Sequence, residues 1–219
     1  IGMNEMKGAI FDMDGTLLDS MHVWRTKGED YLRSRGLEPH AGANEATQYM
    51  SMAQMADYFR AEYGLRDSEQ QIIDDLNRMV ENQYLHVVLA KEGVPEALER
   101  LAGQGVRMCV ATATDLPLVE AALKRTGLLP YFSAVFTCTG VGAGKDRPDI
   151  YCCAQEHLGA AISETVVFED ALYAVRTAKR AGFYVAGVYD YWERKKWSEI
   201  QALADICIHS FSEIERIWK

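Results

Sequence analysis

The second half of the chain alternates between amphipathic segments and short apolar runs, and this alternation constrains the fold more than any other feature. Segments such as "VPEALERLAGQG" have apolar residues three to four positions apart and end in glycine, as helices commonly do. Runs such as "VRMCVA" and "TVVFED" are short and mostly apolar, as buried strands are. Strands that alternate with helices in this way predict a parallel sheet that is covered by helices on both faces.

A helical segment interrupts this pattern near its start. The expected strands are "KGAIFD", "VRMCVA", "SAVFTC", "TVVFED", "FYVAGVYD" and "DICIHS". Between the first two of them, stretches such as "SMAQMADYFRAEYG" have only helical periodicity. We therefore expect residues 1–18 and 92–219 to form one α/β core, and residues 19–91 to form an inserted all-helical domain.

Composition narrows the possible partners and the compartment. The 219 residues are 48% hydrophobic and carry a net charge of −9, so neither nucleic acid nor an anionic membrane is an expected partner. No apolar run approaches the roughly 20 residues of a membrane span, and the start lacks the features of a signal peptide. The five cysteines form no CxxC pair, which argues against a zinc site or a disulfide framework. We expect a cytoplasmic protein.

Residues that can carry chemistry follow four of the expected strands. They are Asp12 and Asp14, then Thr112, then Lys145, and finally the acidic pair Glu169 and Asp170. Because ligands of open parallel sheets bind beyond the carboxyl ends of the strands, we expect these side chains to converge. Crowded carboxylates repel each other, and a hard cation such as Mg²⁺ would offset that repulsion.

The two aspartates of "FDMDGTLLDS" fit the chemistry of phosphoryl transfer. One carboxylate can attack phosphorus and form an aspartyl-phosphate. A second acid two residues later, on the same side of an extended strand, can protonate the leaving oxygen and afterwards activate water. Gly15 lets the backbone approach phosphoryl oxygens closely, and a threonine hydroxyl and a lysine ammonium can bind the same oxygens.

Four motifs together resemble the haloacid dehalogenase superfamily. "FDMDGTLLDS" looks like its nucleophile motif, and "VATATD" is similar to its second, phosphate-binding motif. "GKDRPDIY" looks like its lysine motif, and "VVFEDALYAVRTAKRAG" resembles its metal-binding acidic motif. They occur in the order of the family. The resemblance is closest to the helical-cap branch (subclass I), which includes β-phosphoglucomutase-like phosphatases.

The resemblance implies a Rossmann-like core with a helical cap and a Mg²⁺-dependent phosphomonoesterase that acts as a monomer on a small phosphorylated metabolite. Carried over by position, Asp12 is the nucleophile and Asp14 the acid/base. Thr112, Lys145 and the amide of Ala113 bind phosphate. The implied metal ligands are Asp12, the backbone carbonyl of Asp14, Asp170 and Glu169, the last directly or through water.

The sequence departs from the family pattern in three places. Asp146 replaces the usual proline after the lysine, and Ala171 stands where serine often follows the acidic pair. Sugar-phosphate mutases of this branch hold a second phosphate with a cap arginine. "QYMSMAQMADYF" has no arginine at the expected place, while Arg60 and Arg78 lie elsewhere in the insert. This favours a simple phosphatase over a phosphosugar mutase.

Other interpretations of the same residues remain open. Asp12 and Asp14 could be turn-forming acids, Thr112 could cap the following helix, and Lys145 could be solvated. A carbon–halogen hydrolase would have no use for Asp14. A signalling receiver, switched by aspartyl phosphorylation, has its acidic pair first in the chain and no helical insert. A family member that has lost catalysis would be expected to lack a core motif residue.

Overall fold

The computed structural model describes residues 2–218, which form two compact units. The sheet unit joins residues 2–19 to residues 88–218, and the helical unit is Ser20–Val87. The chain thus leaves the sheet unit after Asp19 and returns to it at Val88. That residues 19–91 act as a cap stays a prediction.

The parallel sheet expected from the alternating pattern is present. The strands are β1 (Gly8–Phe11), β2 (Leu18–Asp19), β3 (Leu89–Ala90), β4 (Arg107–Thr112), β5 (Val135–Thr137), β6 (Thr165–Glu169), β7 (Tyr184–Val188) and β8 (Ile206–Ile208). Within residues 2–218, six of them form one parallel sheet in the order β5-β4-β1-β6-β7-β8. Phe11 pairs with Val110 on one side and with Phe168 on the other, so β1 lies between β4 and β6. The expected Rossmann-like α/β class is confirmed.

Helices of the sheet unit cover both faces of this sheet. The sheet unit contains α5 (Val94–Gly103), α6 (Leu116–Arg125), α7 (Cys138–Val141), α8 (Asp149–Leu158), α9 (Leu172–Arg180), α10 (Trp197–Leu203) and α11 (Ile214–Ile217), whereas α1 (Met21–Ser34), α2 (Ala43–Thr47), α3 (Met52–Tyr63) and α4 (Glu69–Asn82) belong to the helical unit. Ile10 packs in one buried cluster with side chains of α8 and α9. Phe11, the next residue, stacks on Phe168 with ring centroids 4.6 Å apart. Successive residues of β1 are therefore buried on opposite faces. No helix in residues 2–218 is long and apolar enough to cross a bilayer.

The helical unit has an apolar core of its own. Tyr31 on α1 stacks on Phe59 of α3 with ring centroids 5.3 Å apart, and both side chains are fully buried. Ser51 begins α3 with a reciprocal capping box to Gln54, and Ser68 caps α4 through its side chain. Helix periodicity therefore predicts this segment well, apart from the π-helical turn Gln83–Val87 that follows α4.

The sequence pattern misses a short ladder in the sheet unit. β2 and β3 pair antiparallel, with Leu18 opposite Ala90 and Asp19 opposite Leu89. Strands of two residues are too short to show an alternation of apolar and polar positions. The ladder therefore joins the residues just after "FDMDGT" to the segment where the chain re-enters the sheet unit.

Candidate active site

The central position of β1 brings the predicted site residues to one edge of the sheet. Asp12 follows the last residue of β1, and its backbone N–H donates to the Phe168 carbonyl at 3.0 Å. Thr112 ends the neighbouring strand β4, and Glu169 ends the neighbouring strand β6. Both strands run parallel to β1, so the carboxyl ends of all three strands meet at this edge.

Lys145 lies at the centre of a buried ionic cluster. Its Nζ is 2.5 Å from Asp12 Oδ1 and 2.7 Å from Glu169 Oε1. All three side chains are almost completely buried, so Lys145 is not the solvated lysine that its loop alone would predict. Burial by itself would lower the pKa of Lys145, but the two carboxylates outweigh it and raise the pKa above its usual range.

Three buried carboxylates face one another beside this lysine. Asp12, Glu169 and Asp170 offer ligand oxygens that all lie within 4.8 Å of one another. Burial, followed by the negative charge of Asp12, raises the pKa of Glu169 and of Asp170 above their usual range. A single lysine therefore does not balance the charge of the cluster.

The cluster fits a divalent cation. Glu169 Oε2 is buried and has no hydrogen-bond partner, and such an oxygen is disfavoured unless a ligand reaches it. Oxygen ligands from a few carboxylates are what Mg²⁺ prefers. Asp12, Glu169 and Asp170 could hold the ion. They are three of the four ligands that the sequence motifs imply, and the fourth is the backbone carbonyl of Asp14.

Asp14 lies apart from the carboxylate cluster. Because β1 ends at Phe11 and only Asp12 continues its hydrogen bonding, to the Phe168 carbonyl, Asp14 lies in the turn that follows, and the strand alternation assumed from sequence does not extend to it. Asp14 is partly exposed, and its Oδ2 accepts a hydrogen bond from Thr114 Oγ1 at 2.6 Å. The site thus contains a buried carboxylate and an accessible one two residues later, which suits two different tasks.

Thr112 and Ala113 occupy the end of β4 beside this turn. The Thr112 hydroxyl is fully buried and accepts a hydrogen bond from the Thr114 N–H at 3.0 Å, while Ala113 is exposed. Helix α6 has Asp115 at its N-cap position, so Thr112 is not its cap. Both residues stand at the edge where the ionic cluster lies.

Sequence reasoning missed two residues that contact the cluster. Thr16 Oγ1 lies 3.3 Å from Asp12 Oδ2 and 3.3 Å from Asp170 Oδ1. Tyr151 donates its hydroxyl to Glu169 Oε1 at 2.6 Å, and its ring is fully buried. Both lie inside motifs that were recognised, "FDMDGTLLDS" and "GKDRPDIY". The sequence could have indicated both, because each is a hydroxyl-bearing residue inside a recognised motif.

Comparison with known proteins defines the class. A family model for haloacid dehalogenase-like hydrolases matches residues 6–182. The chain therefore belongs to the haloacid dehalogenase-like hydrolase family, and it is an enzyme of the phosphatase type in that family. The expected family is confirmed.

Individual relatives cover almost the whole chain. It is 29% identical to hexitol phosphatase A of Escherichia coli over 210 residues, which span 95% of this chain and 93% of the relative. It is 26% identical to a phosphorylated carbohydrates phosphatase of Thermotoga maritima over 181 residues, 81% of this chain and 82% of the relative. The crystal structure of a candidate β-phosphoglucomutase from Thermotoga maritima superposes with a TM-score of 0.85 at 24% identity, covering 97% and 98% of the two chains. That structural likeness supports the fold.

Proposed function

We propose that this protein is a Mg²⁺-dependent phosphomonoesterase that cleaves a small phosphorylated sugar or polyol through an aspartyl-phosphate on Asp12. The observation that carries the proposal is the buried cluster of Asp12, Glu169 and Asp170 around Lys145. A stable core has little reason to bury three carboxylates with one cation. A site for a metal ion and a phosphoryl group gives that arrangement a purpose.

Phosphoryl transfer begins at the Asp12 carboxylate. One of its oxygens attacks phosphorus, the new O–P bond forms, and the bond between phosphorus and the leaving oxygen breaks in line with it. Asp14 gives its carboxyl proton to that leaving oxygen, so that the product departs as a neutral alcohol. The hydrogen bond from Thr114 holds the Asp14 carboxyl group on the accessible side of the turn.

Hydrolysis then returns the enzyme to its starting state. The Asp14 carboxylate takes a proton from water, and the resulting hydroxide attacks the phosphorus of the aspartyl-phosphate. The bond between Asp12 and phosphorus breaks, and inorganic phosphate leaves. Lys145, the Thr112 hydroxyl and the Ala113 amide bind the equatorial oxygens, on which negative charge is spread in the transition state.

Asp12, Glu169 and Asp170, with the backbone carbonyl of Asp14, would hold Mg²⁺. The ion, when bound, supplies positive charge that lets an anionic nucleophile approach an anionic phosphate. The unpartnered Oε2 of Glu169 supports this assignment. Lys145 supplies the remaining positive charge at the same carboxylates.

The relatives suggest the class of substrate. The two phosphatases described above are named for hexitols and for phosphorylated carbohydrates. We extend the proposal to a monomeric, cytoplasmic enzyme that is capped by residues 19–91 and binds no nucleic acid. The net charge of −9 supports the absence of a nucleic-acid partner, and the five free cysteines support the cytoplasmic location.

The direct test is phosphate release from a panel of sugar, polyol and glycolytic phosphates, with Mg²⁺ and with a chelator. We expect metal-dependent release by the wild type and a loss of at least about 1,000-fold in Asp12→Asn, because an amide is a poor nucleophile. Asp57→Asn, the same change at an exposed position of α3, is the matched control. Acid quenching during turnover should trap phosphate on the wild-type protein and not on Asp12→Asn.

Two results would contradict the proposal. Retained release in Asp12→Asn would exclude that residue as the nucleophile, and release that is insensitive to the chelator would exclude the metal. Turnover that required a sugar bisphosphate primer would indicate a phosphosugar mutase instead.

A further inference from the structure

Lys91 is a partly buried lysine that none of the sequence motifs includes. It follows β3 directly, where the chain has re-entered the sheet unit. Its backbone N–H donates to the Leu17 carbonyl at 2.9 Å, and its side chain is only 17% exposed. An ammonium group at this depth needs partners, because an unpaired buried charge is strongly disfavoured.

Protein atoms occupy all the donors of this ammonium group. Nζ lies 2.6 Å from the Gly15 carbonyl oxygen, 2.9 Å from the Tyr189 carbonyl oxygen and 2.9 Å from Asp190 Oδ2. A lysine has three N–H donors, and three acceptors are present. Lys91 therefore has no donor left for a substrate, and its contacts define a fixed geometry instead.

One of these acceptors belongs to the turn that carries Asp14. Gly15 follows Asp14 and has a φ of +79°, which glycine adopts without strain. The Met13 carbonyl closes the inner side of this turn by accepting from the N–H groups of Thr16, Leu17 and Leu18. The Gly15 carbonyl takes no part in that network and accepts from Lys91 instead.

The opposite end of the contact is firmly held. Asp190 follows β7 by two residues and is 6% exposed. Its Oδ1 accepts from the Trp192 N–H at 2.9 Å, while its Oδ2 pairs with Lys91. The ammonium group is therefore held at the carboxyl end of the sheet, and its hydrogen bond fixes the position of the Gly15 carbonyl.

We propose that Lys91 is a positioning residue for the acid/base Asp14, acting through the Gly15 carbonyl. The inference rests on the proposed phosphatase function. Without Lys91, the Gly15–Thr16 peptide, one residue beyond Asp14, loses the hydrogen bond to its carbonyl oxygen, and the Asp14 carboxyl group no longer meets the leaving oxygen in the productive geometry. Because small misplacements of a catalytic group have large kinetic costs, proton transfer to the leaving group slows.

The type of leaving group separates this role from a general loss of structure. An alkoxide needs the proton from Asp14, whereas p-nitrophenolate is stable enough to leave without it. The value of kcat/KM reports the steps up to the first phosphoryl transfer. Loss of positioning therefore lowers kcat/KM for an alkyl phosphate much more than for p-nitrophenyl phosphate.

The variants are chosen to keep charge burial out of the comparison. Lys91→Met alone would leave the Asp190 carboxylate buried and unpaired. Asp190→Asn removes that charge but keeps an oxygen that can accept from the Trp192 N–H. The informative comparison is therefore Lys91→Met/Asp190→Asn, which removes both charges together, against the wild type. Lys7→Met, at a largely exposed lysine before β1, is the matched control and should change kcat/KM for neither substrate.

Relative to the wild type, we expect the double variant to lose about 10- to 100-fold in kcat/KM for a hexitol phosphate. The loss for p-nitrophenyl phosphate should be less than about threefold, and the melting temperature should be similar to that of the wild type, because the whole ion pair is removed. Equal losses on both substrates would overturn the inference, as would a double variant as active as the wild type on both. Failure of the proposed function would look different: the wild type would release no phosphate from either substrate, and the inference would fall with it.

Discussion

The sheet unit and the helical unit bury polar side chains in opposite ways. Every acidic or basic side chain that is buried within the described residues belongs to the sheet unit. These side chains are Asp12, Lys145, Glu169, Asp170 and Asp190. The helical unit buries uncharged side chains only: Ser20 and Thr47, and a core of apolar and aromatic residues that includes Tyr31 and Tyr84.

This difference in buried charge distinguishes a core that stabilises the fold from a site that is suited to chemistry. Removing a carboxylate from water costs several kcal/mol unless a partner compensates for it, so charge is seldom buried for stability alone. The helical unit follows the ordinary rule, since amphipathic helices bury apolar faces. The sheet unit departs from it at one edge, where strand ends bring together three carboxylates and a lysine. Substitutions of the same kind in the two units should therefore have different consequences.

The largest difference is expected between Lys145→Met and Lys27→Met. Lys145→Met leaves Asp12 and Glu169 buried without their cation, which should lower the free energy of unfolding by about 3–5 kcal/mol. It also removes the charge proposed to bind phosphate, so kcat/KM should fall by about 100- to 1,000-fold. Urea unfolding and phosphate release measure the two effects.

Lys27→Met in the helical unit is the matched control. Lys27 is partly buried and lies over the Trp24 ring, with Nζ 5.2 Å from the ring centroid. Burial lowers its pKa, so its charge is already disfavoured there. Its loss should change the free energy of unfolding by less than about 1 kcal/mol. Equal destabilisation by the two substitutions would contradict the comparison.

The sequence predicts those site residues that are recognisable from their position beside a predicted strand. Asp12, Thr112 and the pair Glu169–Asp170 were predicted because each directly follows or ends an apolar strand, and parallel strands end at one edge. Topology therefore brings them together whatever the side-chain details. Lys145 was predicted from its place in the same series.

Contacts between distant side chains were not predictable. Tyr151 reaches Glu169 from α8, and Lys91 reaches Tyr189 across 98 residues of sequence. Neither contact leaves a periodic pattern. The pairing of Asp14 with Thr114 was also missed, because it depends on where β1 ends, and element ends are the least certain part of any sequence-based prediction.

The pH dependence of stability tests the electrostatics of the sheet unit. Burial raises the pKa of Glu169 and Asp170, so without metal the folded state binds these protons more tightly than the unfolded chain, where carboxyl pKa values are near 4. Stability from these groups is present at low pH and is lost as pH rises through the raised values. The metal-free protein should therefore melt at a lower temperature at about pH 8 than at about pH 5.

Mg²⁺ should oppose this trend, because at the proposed site it would bind the ionised carboxylates. We expect the increase in melting temperature on adding Mg²⁺ to be larger at about pH 8 than at about pH 5. Glu169→Gln separates the contribution of this site from that of the overall negative charge. It should make the metal-free melting temperature depend less on pH, while the other charges of the chain stay the same. A metal-free melting temperature that rises with pH over this interval would contradict the assignment.

The smallest expected difference is between two buried tyrosines, Tyr151 and Tyr31. Tyr151 donates to the Glu169 carboxylate at 2.6 Å, whereas Tyr31 accepts from the Arg35 guanidinium at 3.2 Å, and Arg35 also pairs with Asp67. Tyr151→Phe leaves Glu169 with one fewer donor in a buried site, which should cost about 1.5–3 kcal/mol of stability and lower kcat severalfold. Tyr31→Phe removes a longer hydrogen bond from a guanidinium that keeps its carboxylate partner, so it should lower stability less and leave kcat unchanged.

Unfolding curves and phosphate release, measured on both variants, test this comparison. If Tyr31→Phe lowered the free energy of unfolding more than Tyr151→Phe did, the helical unit would depend on its buried hydrogen bonds more than its apolar core indicates.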